Sequence, residues 1–131
     1  MTSGIAVSYI TLFSPNMERL AVFYNLLGLN LKPDAGWGGI YGYLDVIENN
    51  GQSTLFQIRR SMEERVNNVN LGFRVDNVGE LFIKLLDMKF KIIRPGNDRT
   101  WSHIRNNPSS LTMFVVEDPD GRHVQINKLR L

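Results

Sequence analysis

Two stretches of equal length decide the fold: YITLFSPNMERLAVFYNLLGLNL, Tyr9 to Leu31, and NLGFRVDNVGELFIKLLDMKFKI, Asn70 to Ile92. A shift of 61 positions sets Asn16 on Asn77, Met17 on Val78, Leu20 on Leu81, Tyr24 on Leu85 and Leu29 on Phe90. Self-similarity over so long an offset is the mark of an internal repeat. In each copy an alternating run predicts a strand, an asparagine able to cap a helix follows, and apolar residues then recur at helical spacing. The first helix carries Met17, Leu20, Tyr24 and Leu27 on one stripe and stops at Gly28; the second carries Leu81, Leu85 and Met88.

Beyond each helix lie three more strand-like runs. In the first half they fall at Leu29–Lys32, Ile40–Val46 and Thr54–Arg59, with Glu48–Gly51 as the hairpin turn between the last two. In the second half they fall at Phe90–Arg94, Leu111–Val116 and His123–Lys128. The last is preceded by Asp118-Pro119-Asp120-Gly121, strong turn chemistry because proline pre-sets one φ and glycine supplies a positive one. Asp118 and Asp120 are read as turn stabilisers. The segment Pro95–Ser110 reads as a long structureless connection, of the kind that often borders a site. The expectation is one α+β domain over residues 1–131: a βαβββ module at 5–60, a polar linker at 61–68 and a second βαβββ module at 69–129. With one helix on one face of each sheet, the other face needs cover. Curling the two sheets towards one another, or pairing with a second chain, would give a curved mixed sheet around a concave cavity.

Composition narrows the classes. With 43% hydrophobic residues among 131, the chain can build a core. It has no cysteine, which excludes disulfides, thiolate metal sites and cysteine nucleophiles and fits a reducing cytosol. No window reaches the ~18 apolar residues of a membrane span, and no signal peptide is visible. Fifteen Lys and Arg against thirteen Asp and Glu leave a net charge of +2, but the cations are scattered. Without a basic stripe or a recognisable motif, nucleic acid is not an expected partner.

Three local motifs, in order and set within the repeat, resemble the vicinal oxygen chelate superfamily, which includes glyoxalase I, extradiol dioxygenases, fosfomycin-resistance enzymes and bleomycin-resistance proteins. They are NMERLAVFYNLLGL, similar to that family's helix ending in FYxxxLG; FRVDNV, opening the second half; and VVEDPDGRHVQI, similar to DPDGxxxEL. The resemblance covers nearly the whole chain and implies the glyoxalase/bleomycin resistance fold. It also implies a homodimer, because many relatives complete the cavity across a two-fold axis.

In metal-dependent members, four inward positions on the first and last strand of either half hold a divalent cation with His, Glu or Gln. Carried over by position, these are Tyr9, seven residues before the capping Asn16; Asn70, its partner by the repeat; Gln125, four residues after Gly121; and Gln57, since Phe56 and Ile58 look like core residues. None is a carboxylate or an imidazole. A divalent cation needs donors that offset its desolvation, and four neutral groups supply no negative charge at pH 7. The usual chemistry also needs a base, and none stands at these positions. No metal and no other cofactor is expected.

Parity extends the candidate lining. Trp37, Tyr41 and Tyr43 share one face of their strand, opposite the aliphatic Ile40, Leu44 and Val46; Trp37 alternatively caps a loop, and the tyrosines alternatively serve a dimer contact. Phe13 shares parity with Tyr9, and Arg74 with Asn70, where it could pair an anionic group or reach solvent. Trp101 lies in the long connection, where bleomycin-resistance-like relatives often carry a tryptophan, and either meets a ligand or pins the loop. His103 reads as a solvated side chain. His123 shares parity with Gln125 and approaches the cavity mouth, without an obvious carboxylate partner. Aromatic rings beside neutral amides suit a flat or amphipathic small molecule. The expected function is therefore metal-free binding of a small molecule, sequestering an aromatic or amphipathic compound such as an antibiotic. The alternative is a divergent metal-dependent lyase, isomerase or dioxygenase of the same superfamily, and a third reading is an interaction module whose groove is filled by a partner chain. Bleomycin itself is disfavoured, because its binders in that family tend to be acidic and this chain has a pI near 9.1.

Overall fold

A computed structural model describes residues 7–34, 36, 38–45, 53–61 and 69–128. The chain divides into two compact units, Met1–Asn67 and Asn68–Leu131. The expected hairpin turn at Glu48–Gly51, Trp37, and all but the first residue of the expected linker at 61–68 lie outside the described residues.

The N-terminal unit runs β1 (Tyr9–Ser14), α1 (Met17–Leu27), β2 (Lys32–Pro33), β3 (Ile40–Asp45) and β4 (Ser53–Arg60). Its sheet has the order β1-β4-β3-β2, with β1 and β4 parallel and the other pairs antiparallel. Asn16 caps α1, its side-chain oxygen accepting from the Arg19 amide at 3.1 Å, and Gly28 ends it at φ +122°, a conformation L side chains avoid. The expected stripe of Met17, Leu20, Tyr24 and Leu27 is buried, joined by Ala21 and Phe23. These side chains meet Leu12 of β1, Ile40 of β3, and Phe56 and Ile58 of β4, all buried, in the core of this unit. Asn25 ties the helix to the next strand, accepting from the Leu31 amide at 2.8 Å.

The C-terminal unit repeats the plan with β5 (Leu71–Val75), α2 (Val78–Asp87), β6 (Ile92–Arg94), α3 (Asp98–Asn106), a 3-10 turn at Pro108–Ser110, β7 (Met113–Glu117) and β8 (His123–Lys128). The sheet order is β5-β8-β7-β6, again with the first and last strands parallel. Val78, Leu81, Phe82 and Leu85 of α2 pack with Phe114, Val116, Val124 and Ile126.

Three expectations need correction. Asn77 makes no side-chain cap hydrogen bond, unlike its counterpart Asn16. Met88 is not part of the buried stripe: it sits at the end of α2, 48% exposed, and Lys89 takes the positive φ (69°) that Gly28 takes in the first unit. The connection Pro95–Ser110 is not structureless. Asn97 caps α3 by accepting from the Thr100 amide at 2.9 Å, Ile104 anchors the helix in the core at 2% exposure, and Arg105 reaches Asp87 of α2 at 2.6 Å. The 3-10 turn then packs on α2 so closely that a Cβ at Gly79 would lie 2.0 Å from the Pro108 carbonyl oxygen.

The hairpin between β7 and β8 closes as its sequence predicts. Gly121 adopts φ +95° and its amide donates to the Asp118 carbonyl at 2.9 Å. Arg122, 2% exposed, folds back so that one guanidinium nitrogen lies 3.1 Å from Asp118 Oδ2 and 3.2 Å from Asp120 Oδ2. Asp118 Oδ1 accepts the backbone amides of Asp120 and Arg122 as well. This buried cluster fixes where β8 begins, and hence which of its residues face away from the helix.

Candidate functional site

Successive strand residues point to opposite faces, so pairing register assigns every side chain to the helix-bearing face or the helix-free face. In the N-terminal unit β1 pairs with β4 through Tyr9–Leu55, Thr11–Gln57 and Phe13–Arg59, and β3 pairs with β4 through Tyr41–Gln57 and Tyr43–Leu55. The alternate residues Leu12, Phe56, Ile58 and Ile40 are buried in the core. Tyr9, Phe13, Tyr41, Tyr43 and Gln57 therefore share the helix-free face. Tyr9, Phe13 and Tyr43 are 62%, 43% and 64% exposed, an expensive way to leave large apolar surface. Tyr41 and Tyr43 meet edge to face with centroids 6.2 Å apart. The Gln57 side-chain nitrogen donates to the Thr11 hydroxyl at 2.6 Å, which fixes the amide in the middle of this face.

In the C-terminal unit β5 pairs with β8 through Gly72–Gln125 and Arg74–Asn127, and β7 pairs with β8 through Met113–Asn127, Val115–Gln125 and Glu117–His123. Val124 and Ile126 are fully buried, so His123, Gln125 and Asn127 lie on the helix-free face with Arg74. Asn70, expected on the first strand, lies just before it and is exposed.

The two registers also relate the glutamines. Gln57 pairs with Thr11 and Gln125 with Gly72, and Thr11 and Gly72 are 61 positions apart, the offset of the repeat. Gln57 and Gln125 are therefore structural equivalents, each on the last strand of its unit and beside the first.

Trp101 has a different setting. It lies on α3, half-buried, and its indole N–H donates to the Pro95 carbonyl at 2.6 Å, so it staples the helix to the chain that precedes it. Sequence reading passed over several residues of these faces. Thr11, Leu55 and Arg59 follow from parity with Tyr9 and Gln57, and Val115 and Glu117 become visible once β7 is paired with β8. Glu117 matters most, because it stands across the strand pair from His123, where no carboxylate partner was expected. Its carboxylate lies 3.5 Å from Lys91 Nζ.

A divalent metal does not fit these donors. Each unit would offer two groups, Tyr9 with Gln57 and Asn70 with Gln125, none of them charged. Among the described residues there is no group of three His, Cys, Asp or Glu placed to hold a metal ion. None of the described helices is long and apolar enough to cross a membrane.

Two four-stranded mixed sheets, each repeating a βαβββ plan and each bearing residues of a candidate lining on its helix-free face, define the class. The chain belongs to the Glyoxalase/Bleomycin resistance protein/Dioxygenase superfamily, whose family model matches residues 6–126. A comparison with curated proteins gives no match. Among solved structures, the chain is similar to TnmS3, an antibiotic binding protein from Streptomyces sp. CB03234, at 15% identity and TM-score 0.62, covering 99% of this chain and 100% of that one. It is also similar to the trypanothione-dependent glyoxalase I of Leishmania major, at 16% identity and TM-score 0.58, covering 95% and 87%. An integron cassette protein from the mobile metagenome of Halifax Harbour sewage outfall gives 16% identity and TM-score 0.63, covering 95% and 98%. At such identities the likeness establishes the fold, which binders and enzymes share.

Proposed function

We propose that this chain is a metal-free small-molecule-binding protein that holds an aromatic or amphipathic compound, such as an antibiotic, through its helix-free sheet faces. The observation that carries the proposal is the N-terminal face, where Tyr9, Phe13, Tyr41 and Tyr43 surround the tethered amide of Gln57. Exposed rings on a rigid sheet stack on a flat ligand at little entropic cost, and a fixed amide orients it without demanding charge. The C-terminal face is more polar, with Gln125, Asn127, His123 and Arg74 exposed or half-buried, and suits carbonyl, hydroxyl or anionic substituents. An antibiotic-binding protein among the similar folds supports this reading. Trp37 and Trp101 enter the proposed lining from the sequence alone; β3 begins only at Ile40, and the Trp101 indole is committed to the Pro95 carbonyl.

The test is a thermal-shift and titration screen of flat neutral aromatics, with 2-naphthol and flavone as first probes, against the wild type and Tyr9→Ala, Tyr43→Ala, Trp37→Ala and Trp101→Ala. A stacked ring is worth ~0.5–1.5 kcal/mol beyond its buried area, so loss of Tyr43 should weaken binding on the order of tenfold. Hits that bind all four variants as tightly as the wild type defeat the aromatic-face proposal. Stoichiometric Zn, Ni, Mn or Fe in protein purified without a tag would favour a divergent metal enzyme instead.

A further inference from the structure

The C-terminal unit holds a second feature, distinct from the residues assigned above. A cleft of about 410 Å³ opens beside α3, between that helix and the ends of β6 and β7. Its size falls in the range of small-molecule sites, ~300–1,000 Å³. Its apolar lining comes from Pro95, Ile104, Leu111 and Met113. Ile104 is 2% exposed and Met113 37%, so the lining runs from a buried floor to an accessible rim.

The one ionised side chain at the rim is a guanidinium. Arg94, the last residue of β6, and His103 of α3 line the cleft, and no Asp or Glu does. Neither the Arg94 guanidinium nor the His103 ring makes a hydrogen bond or ion pair among the described residues, whereas neighbouring Arg105 is committed to Asp87 at 2.6 Å. The hydroxyls of the lining are engaged locally, Thr100 with Asn97 Oδ1 at 2.9 Å and Ser110 with the Asn107 carbonyl at 2.7 Å. An apolar floor with one uncommitted guanidinium at its mouth is complementary to an amphipathic anion. The guanidinium fork matches a carboxylate or sulfonate, and the apolar tail replaces water over Ile104 and Leu111.

We propose that this cleft binds a small organic monoanion with a compact apolar body, a medium-chain or aryl carboxylate or sulfonate, with Arg94 holding the acid group. The site is independent of the aromatic face of the N-terminal unit, and each can fail without the other.

The experiment uses the full chain, with octanoate as probe and 1-octanol as its neutral counterpart, followed by NMR of methyl groups and tyrosine rings. Octanoate is expected to shift the methyl signals of Ile104, Leu111 and Met113 saturably, while the ring signals of Tyr9 and Tyr43 stay in place. Arg94→Gln should weaken octanoate about tenfold and leave 1-octanol unchanged, with a dispersed spectrum showing that the variant is folded. Three results would overturn the proposal: cleft methyls that do not saturate, equal loss of acid and alcohol in Arg94→Gln, or an Arg94→Gln variant that holds octanoate as tightly as the wild type.

Discussion

Arg122 offers the sharpest test of how β8 is held in place. Its side chain is 1% exposed and sits between Asp118 and Asp120, whose side chains are 0% and 1% exposed. Substituting Arg122→Met keeps much of the volume but strands two carboxylates in a site closed to water. Removing one partner of a buried ion pair costs roughly 3–5 kcal/mol, because the remaining charge has lost its compensation. With a urea m-value of about 1–3 kcal/mol/M, the unfolding midpoint should fall on the order of 2 M. The assay is urea unfolding followed by far-UV circular dichroism. The triple variant Asp118→Asn, Asp120→Asn, Arg122→Met is the control. It removes all three charges yet keeps an acceptor at position 118 for the Asp120 and Arg122 backbone amides. It should recover a measurable part of the loss. An Arg122→Met variant within about 1 kcal/mol of the wild type, or a triple variant less stable than the single one, would refute the reasoning.

Two further substitutions probe how α3 and the 3-10 turn dock on α2. Alanine for glycine inside a helix ordinarily gains about 1 kcal/mol, but at Gly79 the new Cβ meets Pro108 backbone atoms at 2.0 to 2.8 Å. Gly79→Ala is therefore expected to lose roughly 1–3 kcal/mol in the same urea assay, and a net gain would show that the turn yields freely. At the other end of the contact, a hydrogen bond from Arg105 holds the Asp87 carboxyl below its ordinary value of 3.8. A depressed folded value gives stability that is present above the unfolded value and lost as pH falls through the folded one, so this link loosens at a pH below 3.8. An NMR titration of the Asp87 carboxyl should show its midpoint rising towards 3.8 in Arg105→Gln, and an unchanged midpoint would count against the link.

Most of the strand plan was legible because burial on one face forces alternation and burial on one stripe forces helical spacing. Met17, Leu20, Tyr24 and Leu27 declared α1 this way, and Val124 and Ile126 declared β8. The equivalence of Gln57 and Gln125 was reachable from the repeat, although only the registers Thr11–Gln57 and Gly72–Gln125 set it out residue by residue. α3 was missed because only Trp101 and Ile104 of its nine residues are large apolar groups. What stabilises it is tertiary: the burial of Ile104, the bond from Trp101 to Pro95 and the ion pair to Asp87. A local signal was present in Asn97, with Asp98 in the first turn and Arg105 in the last. The capping role of Asn77 was the opposite error: the residue type is right, but its side chain takes no part in the cap. Glu117 was hidden because pairing across strands is not a local property of sequence.

Binding without a metal, on neutral amides and aromatic rings alone, is the property that most needs measuring. Its most direct test is calorimetric titration of a flat aromatic hit into the wild-type protein, before and after exhaustive treatment with a chelator. The expected result is a dissociation constant unchanged by the chelator. Binding that disappears on chelation and returns on adding back Zn, Ni, Mn or Fe would contradict it.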